Sequence, residues 1–282
     1  MQIITTAVEM QIAAENIRRA GKSIGFVPTM GFLHEGHLSL MRTARSENDV
    51  VIASIFVNPT QFGPKEDLAR YPRDQEGDQR KCEAAGVEYL FLPTPQEMYP
   101  ETPSVFVTVE GIMDVLEGAV RPGHFRGVAT VVTKLFNIVK PHQAYFGQKD
   151  YQQCAVIKRM VKGLNQDVEV IVLPTVRELD GLAMSSRNSY LSPEQRSQAT
   201  ELYRALKAGE ELIRAGLVEP EKVRQKMRAV LLTVEGIQID YAEVADPDTL
   251  APLDAMQERI VLLIAAKIGT TRLIDNLVIT KP

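Results

Sequence analysis

Up to about residue 175 the chain repeats one rhythm, in which short apolar runs rich in Val, Ile and Phe alternate with longer amphipathic segments. An apolar run of four to eight residues bounded by turn signals reads as a strand buried on both faces, and strand, amphipathic helix, strand is a βαβ unit. Repeating that unit requires a parallel sheet with helices on its faces. The spacing predicts strands over 23–27, 50–57, 89–92, 144–146 and 168–173, and helices over 37–47, 74–85, 125–139 and 151–164. The amino terminus reads as a further strand and an amphipathic helix rather than a signal peptide. Residues 104–110 read either as an extra strand or as an extended loop.

After residue 175 the texture changes. Ser192-Pro193-Glu194 reads as a helix cap opening a long polar helix through Ala215, and a second helix follows over 220–232. Runs at 238–244, 259–267 and 271–279 read as strands of a small antiparallel sheet. The expected fold is therefore α/β: a Rossmann-like parallel-sheet domain over 1–175, followed by a smaller α+β domain with an antiparallel sheet over 176–282, hinged near 173–177. Composition removes several function classes. With 32 basic against 36 acidic residues and no basic stripe, nucleic acid is a poor partner. No stretch approaches the ~18 apolar residues of a membrane span, so a cytoplasmic protein is expected. Cys82 and Cys154 lie far apart outside any CxxC pattern, which suggests neither a disulfide framework nor a thiolate zinc site.

The chemistry concentrates in loops that follow predicted strands. After the strand at 23–27 comes Met30-Gly31-Phe32-Leu33-His34-Glu35-Gly36-His37, which runs into a helix. Glycine lets backbone N–H groups approach a polyphosphate, the helix amino terminus favours negative charge, and His34 and His37 can donate to phosphate oxygens. After the strand at 144–146 comes Gly147-Gln148-Lys149-Asp150. Lys149 suits α- and β-phosphates, and Asp150 either caps the next helix or accepts from a ribose hydroxyl. Asn58 and Gln61 are neutral amides suited to hydroxyls and a carboxylate, with turn capping as the plain alternative for Asn58. Arg121 and His124 precede another helix and read equally as ligand groups or as a loop with a packed histidine.

His34-Glu35-Gly36-His37 resembles the HxGH signature of the nucleotidyltransferase superfamily, which includes class I aminoacyl-tRNA synthetases and carries a KMSKS-like loop downstream. Met184-Ser185-Ser186-Arg187 stands in that place, with Ala183 where the first lysine would be and Arg187 for the second. Read alone, it is equally an ordinary polar loop. One superfamily cation must come from elsewhere, and Lys149 is the candidate.

Together, VPTMGFLHEGH, FVNPTQF, RPGHFRG, FGQKDYQQ and MSSRNSYLS resemble the pantothenate synthetase (pantoate–β-alanine ligase) family over nearly the whole chain. The resemblance implies that ATP adenylates (R)-pantoate with loss of pyrophosphate, after which β-alanine displaces AMP. It assigns ATP to residues 30–37, to Gly147, Gln148, Lys149 and Asp150, to the Val176 backbone, and to Met184, Ser185, Ser186 and Arg187. It makes His37 a proton donor, and it places pantoate against Gln61 and Gln153, with Gln61 also near β-alanine. Pyrophosphate leaves well without a proton, so His34, His37 and Lys149 are expected to act electrostatically. Mg2+ is expected to arrive with ATP, with Asp78 either assisting it or lying on a solvated helix face. No tightly bound organic cofactor is expected, and the resemblance points to a homodimer. The competing readings are a nucleotidyltransferase acting on a phosphorylated acceptor, a small tRNA synthetase, and a nucleotide-binding module without turnover.

Overall fold

Six parallel strands meet the demand of the alternating rhythm. A computed structural model describes residues 1–64, 66–216 and 219–280. The strands are β1 (Gln2–Ile4), β2 (Ile24–Thr29), β3 (Val50–Ile55), β4 (Tyr89–Phe91), β5 (Gln143–Gly147) and β6 (Glu169–Leu173), in the order β1-β4-β3-β2-β5-β6. Central β2 and β3 pair along their whole length, from Ile24 opposite Val50 to Thr29 opposite Ile55, and are almost wholly buried. That burial explains their unbroken apolar runs. β2 extends past Val27 through Pro28. Its pairing with β5 ends at Phe26, so the N–H that proline lacks is not missed on that side.

The connecting helices are α1 (Ala7–Arg19), α2 (Glu35–Glu47), α3 (Gln75–Ala84), α4 (Pro95–Met98), α5 (Glu117–Val120), α6 (His124–Val139) and α7 (Tyr151–Gly163). Thr6 caps α1 by accepting from the Glu9 N–H, and Met10, Ala14 and Ile17 form its buried stripe. The chain passes from β2 to β3 on one side and later returns to β5 on the other. The crevice at the carboxyl ends of β2 and β5 is thus the topological switch point, where sheets of this kind bind ligands. Residues 104–110 form no strand. Val107 instead gives its N–H to Thr130 Oγ1 on α6 at 3.0 Å.

The remaining elements are α8 (Pro193–Gln198), α9 (Glu201–Arg214), α10 (Pro220–Leu231), β7 (Gln238–Ala245), β8 (Arg259–Ile268) and β9 (Thr271–Thr280). The strands form an antiparallel sheet in the order β7-β8-β9, and Leu206, Val223, Met227, Leu262 and Ile264 share one apolar core. The helix expected to run unbroken to Ala215 breaks at Ala199 and Thr200. There Thr200 spends its N–H and its hydroxyl on the same Ser197 carbonyl, which tightens the turn. Ser192 caps α8 in a reciprocal box with Gln195.

The chain divides into two units. The first comprises Met1–Met113, Arg121–Gln148 and Gln153–Pro174, and the second comprises Asp114–Val120, Lys149–Gln152 and the chain from Thr175 onward. Among the described residues no helix is long and apolar enough to cross a membrane.

Candidate active site

In the first unit the loop after β2 is turned by Gly31 and Phe32, both at positive φ (82° and 51°). A Cβ on Gly31 would sit 2.9 Å from Ile55 Cγ2 and 3.0 Å from Asp78 Oδ2, so only glycine fits. Asp78 grips this loop from α3. It is 1% exposed and accepts the Phe32 N–H on Oδ2 and the Leu33 N–H on Oδ1, each at 2.7 Å. Lys81 donates to Leu33 O at 2.8 Å. The sequence reading of Asp78 as a solvated surface carboxylate is thereby corrected: it is a buried clamp whose two oxygens each hold a backbone N–H. Among the described residues, no group of three or more His, Cys, Asp or Glu is placed to hold a metal ion.

α2 begins at Glu35, earlier than its apolar pattern suggests, because His34 is its cap. His34 Nδ1 accepts from the Gly36 N–H at 3.2 Å, and His37 Nδ1 accepts from the His34 N–H at 3.3 Å. A ring nitrogen that accepts carries no proton, so each neutral imidazole is the Nε2–H tautomer. Both rings are therefore donors through Nε2 at the amino end of a 13-residue helix, where the macrodipole favours an anion.

Gln61 lies in the short turn Pro59–Gln61, and its Nε2 donates to Met30 Sδ at 3.2 Å, which ties it to the histidine loop. Asn58 supports it from beneath. Asn58 Nδ2 donates to Gln61 Oε1 and Gly127 O, while Oδ1 accepts from Thr60 N, Thr60 Oγ1 and the Tyr99 hydroxyl. Burial pushes the Tyr99 phenol up, which keeps it a donor. From α6, His124 Nδ1 lies 2.8 Å from Gln61 O, and Arg121 Nη1 lies 3.1 Å from His124 Nε2. The carbonyl accepts and the guanidinium donates, so His124 is the neutral Nδ1–H tautomer. Arg121 also forks onto Glu66 at 2.9 and 2.6 Å. Asn58 and His124 thus hold Gln61, and Arg121 in turn braces His124. Gly127 makes this arrangement possible, because a Cβ there would meet Thr60 O at 2.5 Å and Gln61 N at 2.7 Å. Gln153 is half-buried on α7.

In the second unit Lys149 sits in the short turn Gln148–Asp150. Its Nζ lies 3.5 Å from Asp150 Oδ1, and its carbonyl accepts from Asn276 Nδ2 at 2.9 Å. Adjacent Gln152 is buried and bridges the Glu117 N–H and Val115 O. Val176 opens a hairpin: its carbonyl accepts from the Met184 N–H, and Arg177 pairs with Ala183 across it. Ser185 caps the turn Ser186–Tyr190 by accepting from the Arg187 N–H at 3.3 Å. Arg177, Asp275, Asn276, Gly127 and Tyr99 were not singled out from sequence. Only Gly127, a glycine inside an apolar helix, carries a local sign that something approaches closely.

A family profile described as pantoate-beta-alanine ligase matches residues 2–278. The chain is 56% identical over 279 residues to the pantothenate synthetase of Moorella thermoacetica, covering 99% of each. Its similarity to the Thermotoga petrophila pantothenate synthetase is 55% over 279 residues, covering 99% of this chain and 100% of that one. Among solved structures it resembles pantothenate synthetase from Thermus thermophilus, with TM-score 0.93, 49% identity and coverage of 98% and 99%. It also resembles a Francisella tularensis pantoate-beta-alanine ligase complexed with beta-gamma ATP and beta-alanine, with TM-score 0.81, 37% identity and coverage of 98% and 97%.

Proposed function

We propose, from the premise that this chain belongs to the pantoate-beta-alanine ligase family, a division of labour among its residues for the ATP-dependent condensation of pantoate with β-alanine. A carboxylate is a poor electrophile, so the pantoate carboxylate first attacks the α-phosphate of ATP and expels pyrophosphate. The amine of β-alanine then attacks the pantoyl adenylate and releases AMP. In-line displacement at phosphorus needs positioning and charge stabilisation. The residues assigned to ATP are the 30–37 loop, with His34 and His37 donating from Nε2 at the α2 amino terminus, together with Gly147, Gln148, Lys149, Asp150, the Val176 backbone and the Met184–Arg187 loop. Gln61 and Gln153 hold pantoate through neutral amides, which orient the carboxylate without reducing its nucleophilicity. The observation that carries this reading is the paired Nδ1 capping of His34 and His37, which fixes the donor tautomer of both rings.

Mg2+ enters as part of the ATP substrate, bound by phosphate oxygens. The two buried free cysteines fit a reducing cytoplasm, and the family resemblance supports a homodimer, to be checked by light scattering. The deciding experiment is pyrophosphate–ATP isotope exchange. Exchange that requires pantoate is expected. Exchange indifferent to pantoate but stimulated by a phosphorylated acceptor would replace the ligase with a nucleotidyltransferase, and ATP binding without AMP release in the presence of both acids would leave a module without turnover.

A further inference from the structure

Lys149 and the hairpin over 176–184 come from distant parts of the sequence, yet two adjacent residues on β9, an edge strand of the small sheet, grip both. Asn276 Nδ2 donates to Lys149 O at 2.9 Å, and Asn276 O accepts from Arg177 Nη2 at 3.3 Å. Asp275 takes the Arg177 fork at 2.6 and 2.9 Å, and its Oδ1 accepts the Asn276 N–H at 2.7 Å. Arg177 also donates to Gly181 O at 3.0 Å and lies 3.9 Å over the Tyr203 ring, so the hairpin is fastened at its base and near its tip. Asp275 and Asn276 are 3% and 2% exposed. Burial pushes the Asp275 carboxyl up, against the opposing pull of Arg177, the Asn276 N–H and the Lys149 charge.

A buried ion pair stabilises a fold no better than apolar packing of the same volume, so its presence here calls for another reason. The geometry supplies one: the segments it joins carry Lys149 and lead to Arg187, the two cations of this unit read as phosphate ligands. We propose that Asp275 and Asn276 are positioning residues, a hub that holds the Lys149 backbone and the hairpin leading into Met184–Arg187 at one fixed spacing. The cations for the ATP phosphates then form a preorganised set, and the cost of arranging them is met on folding rather than during reaction. The proposal rests on Lys149 binding phosphate.

The test is a double-mutant cycle on pantoate-dependent adenylate formation under single turnover, combining Asn276→Ala with Lys149→Ala. If the hub acts through Lys149, Asn276→Ala slows the step by roughly 10- to 100-fold alone, raises KM for ATP more than KM for pantoate, and slows the Lys149→Ala enzyme no further. Equal slowing in both backgrounds makes Asn276 a fold-stabilising residue only and overturns the hub. A Lys149→Ala enzyme with the native rate overturns the parent reading itself, so the two failures are distinguishable. Should Asn276→Ala lose its cooperative thermal transition, Asn276→Leu, close in volume and lacking the donor, runs the same cycle.

Discussion

The imidazoles of His34 and His37 lie with centroids 4.1 Å apart, and each turns Nδ1 to the backbone of the helix start it caps. One residue thus does two jobs, and substitution can separate them. Asn is among the best capping residues but has no counterpart of Nε2–H at the ring's reach. His34→Asn is expected to keep stability within about 0.5 kcal/mol, whereas His34→Ala loses about 1 kcal/mol with the cap. Both are expected to slow adenylate formation by about two orders of magnitude, as for a lost oxyanion-type donor. Urea unfolding beside rapid-quench measurement checks it; a near-native rate for His34→Asn would reduce His34 to a cap.

Asp78 offers a test between clamp and metal ligand. Asp78→Asn places an NH2 where one of two backbone N–H groups donates, leaving that donor buried and unsatisfied at a cost of about 1–3 kcal/mol. The loop loosens, so KM for ATP is expected to rise severalfold while the Mg2+ concentration for half-maximal activity, at fixed MgATP, stays where it was. A shift in that Mg2+ midpoint is the result that restores a metal role.

How much of this was legible in the sequence follows from how local each cause is. The alternation of apolar runs and amphipathic segments carries the parallel sheet, because burial on both faces leaves its mark on every residue of β2 and β3. The α2 start was misplaced because histidine is not an ordinary cap, and nothing nearby in sequence reveals a ring accepting through Nδ1. The break at Thr200 turns on one hydroxyl competing for one carbonyl. Asp78 looked like a surface carboxylate because its helix is polar, whereas its partners, Phe32 and Leu33, lie more than forty positions away. The residues read as phosphate ligands stand in recognisable loops. The residues that hold those loops, such as Asn276 behind Lys149, are identified by contacts that only the fold creates.

Gly127 tests the assignment of Gln61 to pantoate. A methyl group at Gly127 would press on Thr60 O at 2.5 Å and Gln61 N at 2.7 Å, both backbone atoms that cannot swing aside. Gly127→Ala is expected to destabilise the first unit by about 1–3 kcal/mol and to displace the Gln61 amide. KM for pantoate should then rise at least tenfold with KM for ATP nearly unchanged. Steady-state kinetics with each substrate varied in turn decide it, and an unchanged pantoate KM in a folded variant would remove Gln61 from the pantoate site.

The hairpin over 176–184 carries a pH signature. Arg196 donates to Asp180 Oδ2 at 2.9 Å and Oδ1 at 3.1 Å, and also to Glu178. The Arg196 hydrogen bond, helped by the Leu182 N–H, holds the Asp180 carboxyl below its ordinary value of 3.8 despite some desolvation. A depressed carboxyl binds its proton less readily folded than unfolded, so its stabilisation is present at pH above 3.8 and disappears as pH falls through the lower folded value. Asp180 is half-exposed, so the effect is that of a screened surface pair, below about 1 kcal/mol. Asp180→Asn is expected to be slightly less stable than the parent at pH 7, and the difference is expected to close under acid conditions and in high salt. Urea unfolding of both proteins from pH 7 to pH 3 measures the gap. A gap that persists unchanged to the acid end would mean that Asp180 supports the hairpin by shape and not by charge.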